Sequence, residues 1–236
     1  MNTFQNEFAQ PIGAPLASWK GATPPSRITL EGRYCRLIPA NPHTHLDDLA
    51  EAYDTAADGR DWTYLATGPF SSREAYRAHL EKLASTSDPL HFAVVDTASG
   101  KALGTLALMR IDPANGVIEV GFIAFSPLLK KTRIATEAIF LLMRHVFDDL
   151  GYRRFEWKCD SLNAPSRAAA KRFGFTFEGI FRQAIVYRSR NRDTAWFSII
   201  DPEWPALKSQ YERWLDPKNF DADGKQIERL STAAEQ

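Results

Sequence analysis

The 236-residue sequence is poor in cysteine: Cys35 and Cys159 cannot build a disulfide framework, and so little cysteine suits a reducing compartment. Long apolar runs are also missing, since none approaches the roughly 20 residues of a membrane helix. The N-terminus carries polar and acidic side chains where a signal peptide needs cationic and then apolar ones. These absences predict a cytoplasmic protein with no membrane partner.

Net charge of one sign is absent too, because 29 lysines and arginines are balanced by 29 aspartates and glutamates. A neutral chain has no overall field that attracts nucleic acid or acidic lipid, so an anionic ligand must be bound by local charge. The histidines are scattered, and the pair His43 and His45 has no cysteine or carboxylate beside it. We therefore predict no metal site.

The distribution of apolar residues predicts one domain with two extensions. Residues 1–30 are rich in proline and glycine and are expected to form an irregular arm, and residues 216–236 are expected to form a polar, mobile tail. Residues 31–215 hold the domain. Three apolar residues of the arm could attach it to a surface: Ile12, Leu16 and Trp19.

Periodicity within the domain predicts the order β-α-α-β-β-β-α-β-α-β-β. The expected fold is α/β (α+β), with a mixed, mostly antiparallel sheet and flanking helices. A strand–helix–strand unit needs a right-handed crossover, which places 117–125 and 154–160 side by side and parallel. The other predicted strands are 34–39, 92–96, 102–111, 175–187 and 194–200, and the predicted helices begin near 41, 72, 132, 163 and 202.

The segment Ser126–Phe140 contains no glycine but places Lys130, Lys131 and Arg133 at the start of a predicted helix. A helix start has unpaired amides and a partial positive charge, so it binds phosphate well. Cations there are unfavourable unless an anion neutralises them. Two interpretations stay open on charge alone, a solvated turn and an anion site.

Two blocks of sequence resemble the acetyl-CoA motifs of the GNAT N-acetyltransferases, particularly the RimJ/RimL-like group. The first block runs from Glu119 to Ala138, and the second from Cys159 to Gly179 with Asn163-Ala-Pro-Ser166 and Gly174-Phe175. The resemblance covers about residues 30–200. It implies a GNAT-like sheet whose parallel strands splay apart, with the pantetheine arm of acetyl-CoA in the gap beside the backbone of Ile123 and Phe125.

The same resemblance implies a pyrophosphate cradle at the helix start and coenzyme contacts from Asn163 and Ser166. Where the family pattern has glycine this chain has Arg133, with Lys130 at the first motif position and Ala135 at the last. Arg133 could clasp the phosphates, stand clear of them or block them. The implied cradle residues are Lys130, Lys131, Thr132, Arg133, Ile134, Ala135 and Thr136.

Acetyl transfer to an amine needs a base, because amines with pKa values of about 8 to 10.4 are mostly protonated at neutral pH. Glu119 lies among apolar neighbours, where a carboxylate would have a raised pKa unless it is paired. It is the predicted base, with a buried salt bridge as the structural alternative.

An acid is also needed, to protonate the departing thiolate. Ser166 is the predicted acid or sulfur contact, and its alternative is a first-turn residue that satisfies the local backbone. Tyr187 is a second candidate acid, although an aromatic strand residue usually packs. Cys159 is expected to be a buried, inert thiol.

The leading interpretation is an N-acetyltransferase that moves an acetyl group from acetyl-CoA to a primary amine, on a protein N-terminus or a small molecule. We expect the two early helices, the Asp58–Phe70 loop (with Asp61, Trp62 and Tyr64) and the C-terminal hairpin to wall the acceptor groove. The alternative is a non-catalytic acyl-CoA-binding, regulatory module.

A third interpretation is a structural or nucleic-acid-binding protein. It would use the cations of the C-terminal hairpin, but the aromatic platform of a single-strand binder is not evident there, so nucleic acid is not expected. The oligomeric state stays open and includes a homodimer. The cations of the hairpin are Arg182, Arg188, Arg190 and Arg192.

Overall fold

A computed structural model describes residues 4–232 of the chain. The strands are β1 (Phe4–Gln5), β2 (Pro11–Ile12), β3 (Leu30–Glu31), β4 (Cys35–Pro39), β5 (Leu90–Asp96), β6 (Ala102–Asp112), β7 (Val117–Phe125), β8 (Arg154–Asp160), β9 (Thr176–Tyr187) and β10 (Arg190–Ile200). The helices are α1 (Pro42–Asp54), α2 (Arg73–Ser85), α3 (Arg133–Arg144), α4 (Ala164–Arg172) and α5 (Trp204–Trp214).

The predicted fold class is confirmed. Strands β3 to β10 form one sheet in the order β3-β4-β5-β6-β7-β8-β10-β9. Strands β7 and β8 are parallel, and the other neighbouring strands of this sheet are antiparallel. The crossover that joins β7 to β8 contains α3, as the sequence order required.

Polar side chains begin the helices at the predicted positions. Asn41 caps α1 by accepting a hydrogen bond from the amide of His43, and Ser72 caps α2 through the amide of Ala75. Such a cap satisfies an amide that the helix leaves unpaired. Helix α3 ends at Arg144, where a π-helical turn over His145–Asp149 replaces the last part of the predicted helix.

The core has two parts, one on each face of the sheet. Helix α3 packs on the first face, where Ile139 and Leu142 are fully buried against residues such as Phe92. Helices α1 and α2 cover the second face with Leu49 and Leu80. Each buried leucine contributes roughly 1.5–3 kcal/mol, so the sheet is held firmly between its helices where they cover it.

The N-terminal arm differs in part from the prediction. Trp19 does attach it, since its Nε1 donates to the Ala114 carbonyl at 2.7 Å. Ile12 and Leu16 are about half exposed and attach nothing. Instead of being irregular throughout, the arm contains the short antiparallel pair of β1 and β2.

The C-terminal tail contacts the domain at both ends of its described part, whereas most residues between 221 and 229 are exposed, so its mobility stays a prediction. Leu230 and Thr232 are buried, and Phe220 packs against Tyr34 and Trp214. Residues 233–236 lie outside the described residues. No helix within residues 4–232 combines the length and the apolar character needed to cross a bilayer.

Candidate active site

The parallel pairing of β7 with β8 stops halfway along the strands. It runs from Val117 opposite Arg154 to Val120 opposite Trp157 and goes no further. At this point β7 has one more residue than β6, and Phe122 has a φ of 48°. Such a bulge bends its strand. The second halves of β7 and β8 therefore leave a gap between 121–125 and 158–160, which is the predicted splay.

The gap lies at the end of β7 that leads to α3. Thr132 caps that helix, because its hydroxyl accepts a hydrogen bond from the Ala135 amide and donates one to the Leu129 carbonyl at 2.7 Å. The amides of Arg133 and Ile134 donate to no group in the described part of the chain. Two free donors and the positive end of the helix dipole suit an anion.

The lysines beside this helix start differ in their contacts. The Lys130 ammonium forms an ion pair with Asp61, which belongs to the loop between α1 and α2. Lys131 is exposed and has a left-handed φ of 62°, a conformation that costs a non-glycine residue roughly 1–3 kcal/mol. Lys131 is therefore available to an anion, whereas Lys130 would have to exchange its partner.

The Arg133 side chain stands clear of the free amides. Its Cζ atom lies 4.4 Å from the ring centroid of Tyr34 and 5.2 Å from that of Phe220. These distances are those of cation–π contacts. Of the three arrangements that the sequence left open, these ring contacts favour the one in which Arg133 stands clear of the phosphates.

The remaining cradle residues turn their side chains into the protein. Ile134 and Ala135 pack in the core, and the Thr136 hydroxyl accepts a hydrogen bond from Arg172 at 3.1 Å. Only their backbones could face a ligand. Arg172 had no sequence signal, because it reaches the helix start from the far end of α4.

Glu119 is 4% exposed and lies in a buried ionic cluster. Its Oε2 is 3.0 Å from Nζ of Lys158 and 3.1 Å from Nε of Arg110. Burial raises the pKa of Glu119, although Lys158 and Arg110 oppose this shift. The structural alternative, a buried salt bridge, is therefore present, and the role of Glu119 as the base stays a prediction.

Lys158, like Arg110, is a cation of this cluster that the sequence did not single out. Its ammonium is also 2.6 Å from Glu156 Oε2 and 3.8 Å from the ring centroid of Trp196, and its side chain is 5% exposed. The sequence did contain a signal for it. Side chains alternate along a strand, so Lys158 points away from the face of the core residue Trp157 and shares a face with Glu156. That Glu119 lies beside Lys158 follows only from the order of the strands, in which β7 neighbours β8.

Ser166 and Asn163 lie on the other side of β8. The Ser166 hydroxyl accepts a hydrogen bond from Trp157 Nε1 at 3.0 Å, and Asn163 caps α4 through the Ser166 amide at 3.1 Å. The alternative role of Asn163, helix capping, is thus present and leaves a ligand contact open. Burial raises the pKa of the Cys159 thiol, as expected for an inert cysteine.

Tyr187 donates a hydrogen bond to Asp160 Oδ2 at 2.9 Å, and burial with this contact raises the pKa of its phenol. Asp160 lies four residues beyond Glu156, the partner of Glu119 in the sheet register. Four strand residues span roughly 13 Å. The structure therefore does not bring the three predicted catalytic residues into one cluster: Glu119, Ser166 and Tyr187.

A small cavity of about 20 Å³, which must widen to admit more than one water molecule, lies beside residues 121–125 of β7, on the face of the sheet that carries α1 and α2. Phe122 and Ala124 form its strand wall. Within residues 4–232, buried His91 has no hydrogen-bond partner for its Nδ1 atom, and burial lowers the pKa of this imidazole to about 4. The rest of the lining is aromatic, apolar or neutral: Tyr53, Trp62, Leu65, Thr67, Tyr76, His79, Leu83 and Thr105.

The predicted loop 58–70 walls this cavity and bridges the mouth of the gap. Besides the ion pair of Asp61, the Tyr64 hydroxyl donates to the Leu162 carbonyl at 3.1 Å. Arg188 and Arg190 donate to carbonyls of the same loop at 2.9 and 2.6 Å. Arg192 donates to the Thr194 hydroxyl at 3.2 Å, so three of the four hairpin arginines have structural partners, which weakens the nucleic-acid interpretation.

The comparisons with known proteins agree with this geometry. A family model described as "Acetyltransferase (GNAT) domain" matches residues 36–176. The solved structure of a GCN5-related N-acetyltransferase from Brucella melitensis is 52% identical with a TM-score of 0.89, and the match covers 91% of this chain and 97% of that one. A probable GNAT acetyltransferase from Chromobacterium violaceum is 42% identical with a TM-score of 0.76, over 83% and 98%.

A curated relative is more distant. The protein named "Uncharacterized N-acetyltransferase YnaD" from Bacillus subtilis is 22% identical over 157 residues, which are 66% of this chain and 90% of the relative. These descriptions name no acceptor and no subgroup, so the RimJ/RimL-like assignment stays a prediction. The family model spans more than half of the chain, and the Brucella structure matches nearly all of it. The chain belongs to the GNAT acetyltransferase family, whose co-substrate is acetyl-CoA.

Proposed function

We propose that the protein is an N-acetyltransferase that transfers an acetyl group directly from acetyl-CoA to a primary amine in a ternary complex. The observation that carries this proposal is the gap between β7 and β8. It ends at the free amides of Arg133 and Ile134 and lies beside the buried carboxyl of Glu119. The residues present thus suit a coenzyme with an extended arm and an anionic end.

In this proposal the backbone near Ile123 and Phe125 holds the pantetheine arm. The amides of Arg133 and Ile134, with Lys131, hold the pyrophosphate, because they are the free donors and the exposed cation at the helix start. Asn163 orients the coenzyme from the opposite strand. The family glycine is not needed for these contacts as long as the Arg133 side chain stays clear of the amides.

Glu119 is the proposed base. It takes a proton from the acceptor ammonium, directly or through water, and the freed amine forms the new C–N bond as the C–S bond breaks. The nitrogen of the new amide loses its second proton, and the departing thiolate takes up a proton from an acid, which regains one from that nitrogen directly or through water. Ser166 is the first candidate, since it accepts from Trp157 and keeps its own hydrogen to donate. Tyr187 is the second candidate.

The acceptor is proposed to be a small-molecule amine or a protein N-terminus that carries an apolar or aromatic group. The cavity beside β7 has no carboxylate in its lining, and its histidines His79 and His91 are kept neutral by burial. Such a surface offers nothing to balance a second ammonium group. We predict that aromatic and apolar amines are acetylated with at least a tenfold higher kcat/KM than linear polyamines.

The experiment combines calorimetric titration with acetyl-CoA and a thiol-release assay over a panel of amines. The panel holds aromatic, aliphatic, polyamine and peptide N-terminal acceptors of matched concentration. Coenzyme binding with amine-dependent thiol release supports the proposal. Binding without release for any amine supports the non-catalytic acyl-CoA-binding module instead. Equal kcat/KM values for polyamines and aromatic amines would contradict the proposed acceptor class.

A further inference from the structure

The C-terminal strap, residues 216–232, crosses the start of α3 on its way from α5 to α4. Phe220 reaches Arg133, and a Cβ placed on Gly224 would stand 4.0 Å from the Arg133 guanidinium. Further along, the Thr232 hydroxyl lies 3.3 Å from the Lys171 carbonyl at the end of α4. The strap thus joins the two helices that border the gap, and it contacts the residue that replaces the family glycine.

The two rings that contact the Arg133 guanidinium are themselves held in place. The Tyr34 hydroxyl donates to the Leu215 carbonyl at 3.0 Å. Phe220 packs edge-on against Trp214, with ring centroids 5.1 Å apart and an interplanar angle of 86°. Tyr34 and Phe220 also meet edge-on at 5.9 Å. Arg133 therefore has a fixed aromatic site rather than a chance surface contact.

This aromatic site takes the place of an ion pair. No carboxylate lies within 4.0 Å of the Arg133 guanidinium among residues 4–232. A cation at a helix start without a counter-ion is electrostatically unfavourable, and without the rings nothing would fix its direction. The long side chain could then lie over its own amide and that of Ile134, the donors of the proposed cradle.

We propose that Phe220 and Tyr34 are positioning residues for the coenzyme. They hold the Arg133 side chain away from the helix-start amides, so that a chain without the glycine keeps an open phosphate cradle. This inference rests on the proposed function, since it concerns the same site. It assigns the strap a part in coenzyme affinity, although it lies outside the matched residues 36–176.

The test is a double-mutant cycle with acetyl-CoA, read by calorimetry and by steady-state kinetics. Phe220→Ala is expected to raise the Kd and the KM for acetyl-CoA by about five- to tenfold, the range of a well-ordered cation–π contact. The kcat at saturating coenzyme should stay within about twofold, because the reacting atoms are distant. Phe220→Tyr keeps the ring and should restore the wild-type KM, whereas Phe220→Leu keeps apolar bulk only and should behave like the alanine variant.

Arg133→Gly supplies the matched background. With the side chain gone there is nothing to position, so adding Phe220→Ala in this background should leave the Kd and the KM for acetyl-CoA unchanged relative to Arg133→Gly alone. Equal losses from Phe220→Ala in both backgrounds would show that the strap only supports the fold, and would overturn the inference. Tyr34→Leu repeats the test if Phe220→Ala does not fold.

Two other outcomes separate this inference from the proposed function. A loss of tenfold or more in the single variant Arg133→Gly would make Arg133 a phosphate ligand, and would overturn the inference while acetyl transfer stands. Failure of the wild-type protein to bind acetyl-CoA would contradict the proposed function, and with it the inference.

Discussion

Glu119 is the residue on which the proposed proton transfer depends. Lys158 and Arg110 hold its carboxyl in place, while burial raises its pKa, so it is both oriented and basic. Glu156 shares the Lys158 ammonium and keeps the local charge close to balance. A lone buried glutamate would instead be protonated and unable to accept a proton.

At this scale we predict that Glu119→Gln lowers kcat by a factor of about 10² to 10⁴, the usual contribution of a general base, and leaves the Kd for acetyl-CoA unchanged. Wild-type kcat/KM should rise as the pH rises through the Glu119 pKa, because the base acts when ionised. The raised pKa moves this rise to higher pH than for an ordinary glutamate. A pH–rate profile checks it. Survival of the acid limb in Glu119→Gln would exclude Glu119 as the base.

Single residues also show what the sequence could predict. The burial of Glu119 and the helix starts near Thr132 and Asn163 could be predicted from neighbouring residues, because both depend on local sequence. The position of the Arg133 side chain could not be predicted from the sequence. It depends on Phe220, which is 87 residues away in the chain and belongs to a tail that looked polar.

At the scale of elements, Glu137 connects α3 to the turn before β4. Its carboxylate accepts hydrogen bonds from three successive amides, those of Arg33, Tyr34 and Cys35, at 2.8, 2.6 and 2.7 Å. Glu137 is 4% exposed and Cys35 is fully buried, so the Cys35 amide has no access to water, whereas the other two donors are partly buried. The contact fixes the position of Tyr34 relative to the start of α3.

We predict that Glu137→Ala lowers the free energy of unfolding by about 3 kcal/mol or more, because each unsatisfied buried donor costs roughly 1–3 kcal/mol. Urea unfolding of the two proteins measures the difference. Glu137→Gln is the control, since it keeps the volume and one acceptor oxygen and should lose less. A loss below about 1 kcal/mol in the alanine variant would show that these amides find other partners.

Most elements were predictable from periodicity and turn residues, and β7 and β8 matched to the residue. The bulge in β7 could not be predicted, because it places Phe122 in a left-handed conformation that an aromatic residue rarely adopts. The splay it produces could be inferred only from the family resemblance. The strap was missed because Phe220 and Leu230 are too far apart to form a periodic pattern.

At the scale of the whole molecule, the loop 58–70 joins parts of the site that are distant in the chain. Asp61 pairs with Lys130 at the cradle, while the next residue, Trp62, lines the cavity beside β7. The carbonyl of Trp62 also accepts from Arg188 of the hairpin. An anion that binds Lys130 would break its ion pair with Asp61. It would therefore disturb the loop that forms a wall of the acceptor cavity.

We predict that Asp61→Ala lowers the KM for acetyl-CoA by about two- to fivefold, the range of an exposed ion pair, because Lys130 is released to the coenzyme. The KM for the acceptor amine should rise, because the loop that carries Trp62 loses one of the contacts that hold it. Steady-state kinetics with each substrate varied in turn measures both constants, and Asp58→Ala in the same loop is the matched control. KM values that move in the same direction would contradict this coupling.

The central claim is direct acetyl transfer from acetyl-CoA to an amine, and mass spectrometry of the amine after incubation tests it most directly. Wild-type protein should give the acetylated amine together with an equal amount of free CoA thiol, and Glu119→Gln, at matched coenzyme occupancy, should give at least a hundredfold less of both. An unmodified amine in the presence of bound acetyl-CoA, across the aromatic, aliphatic and peptide acceptors, would contradict the claim.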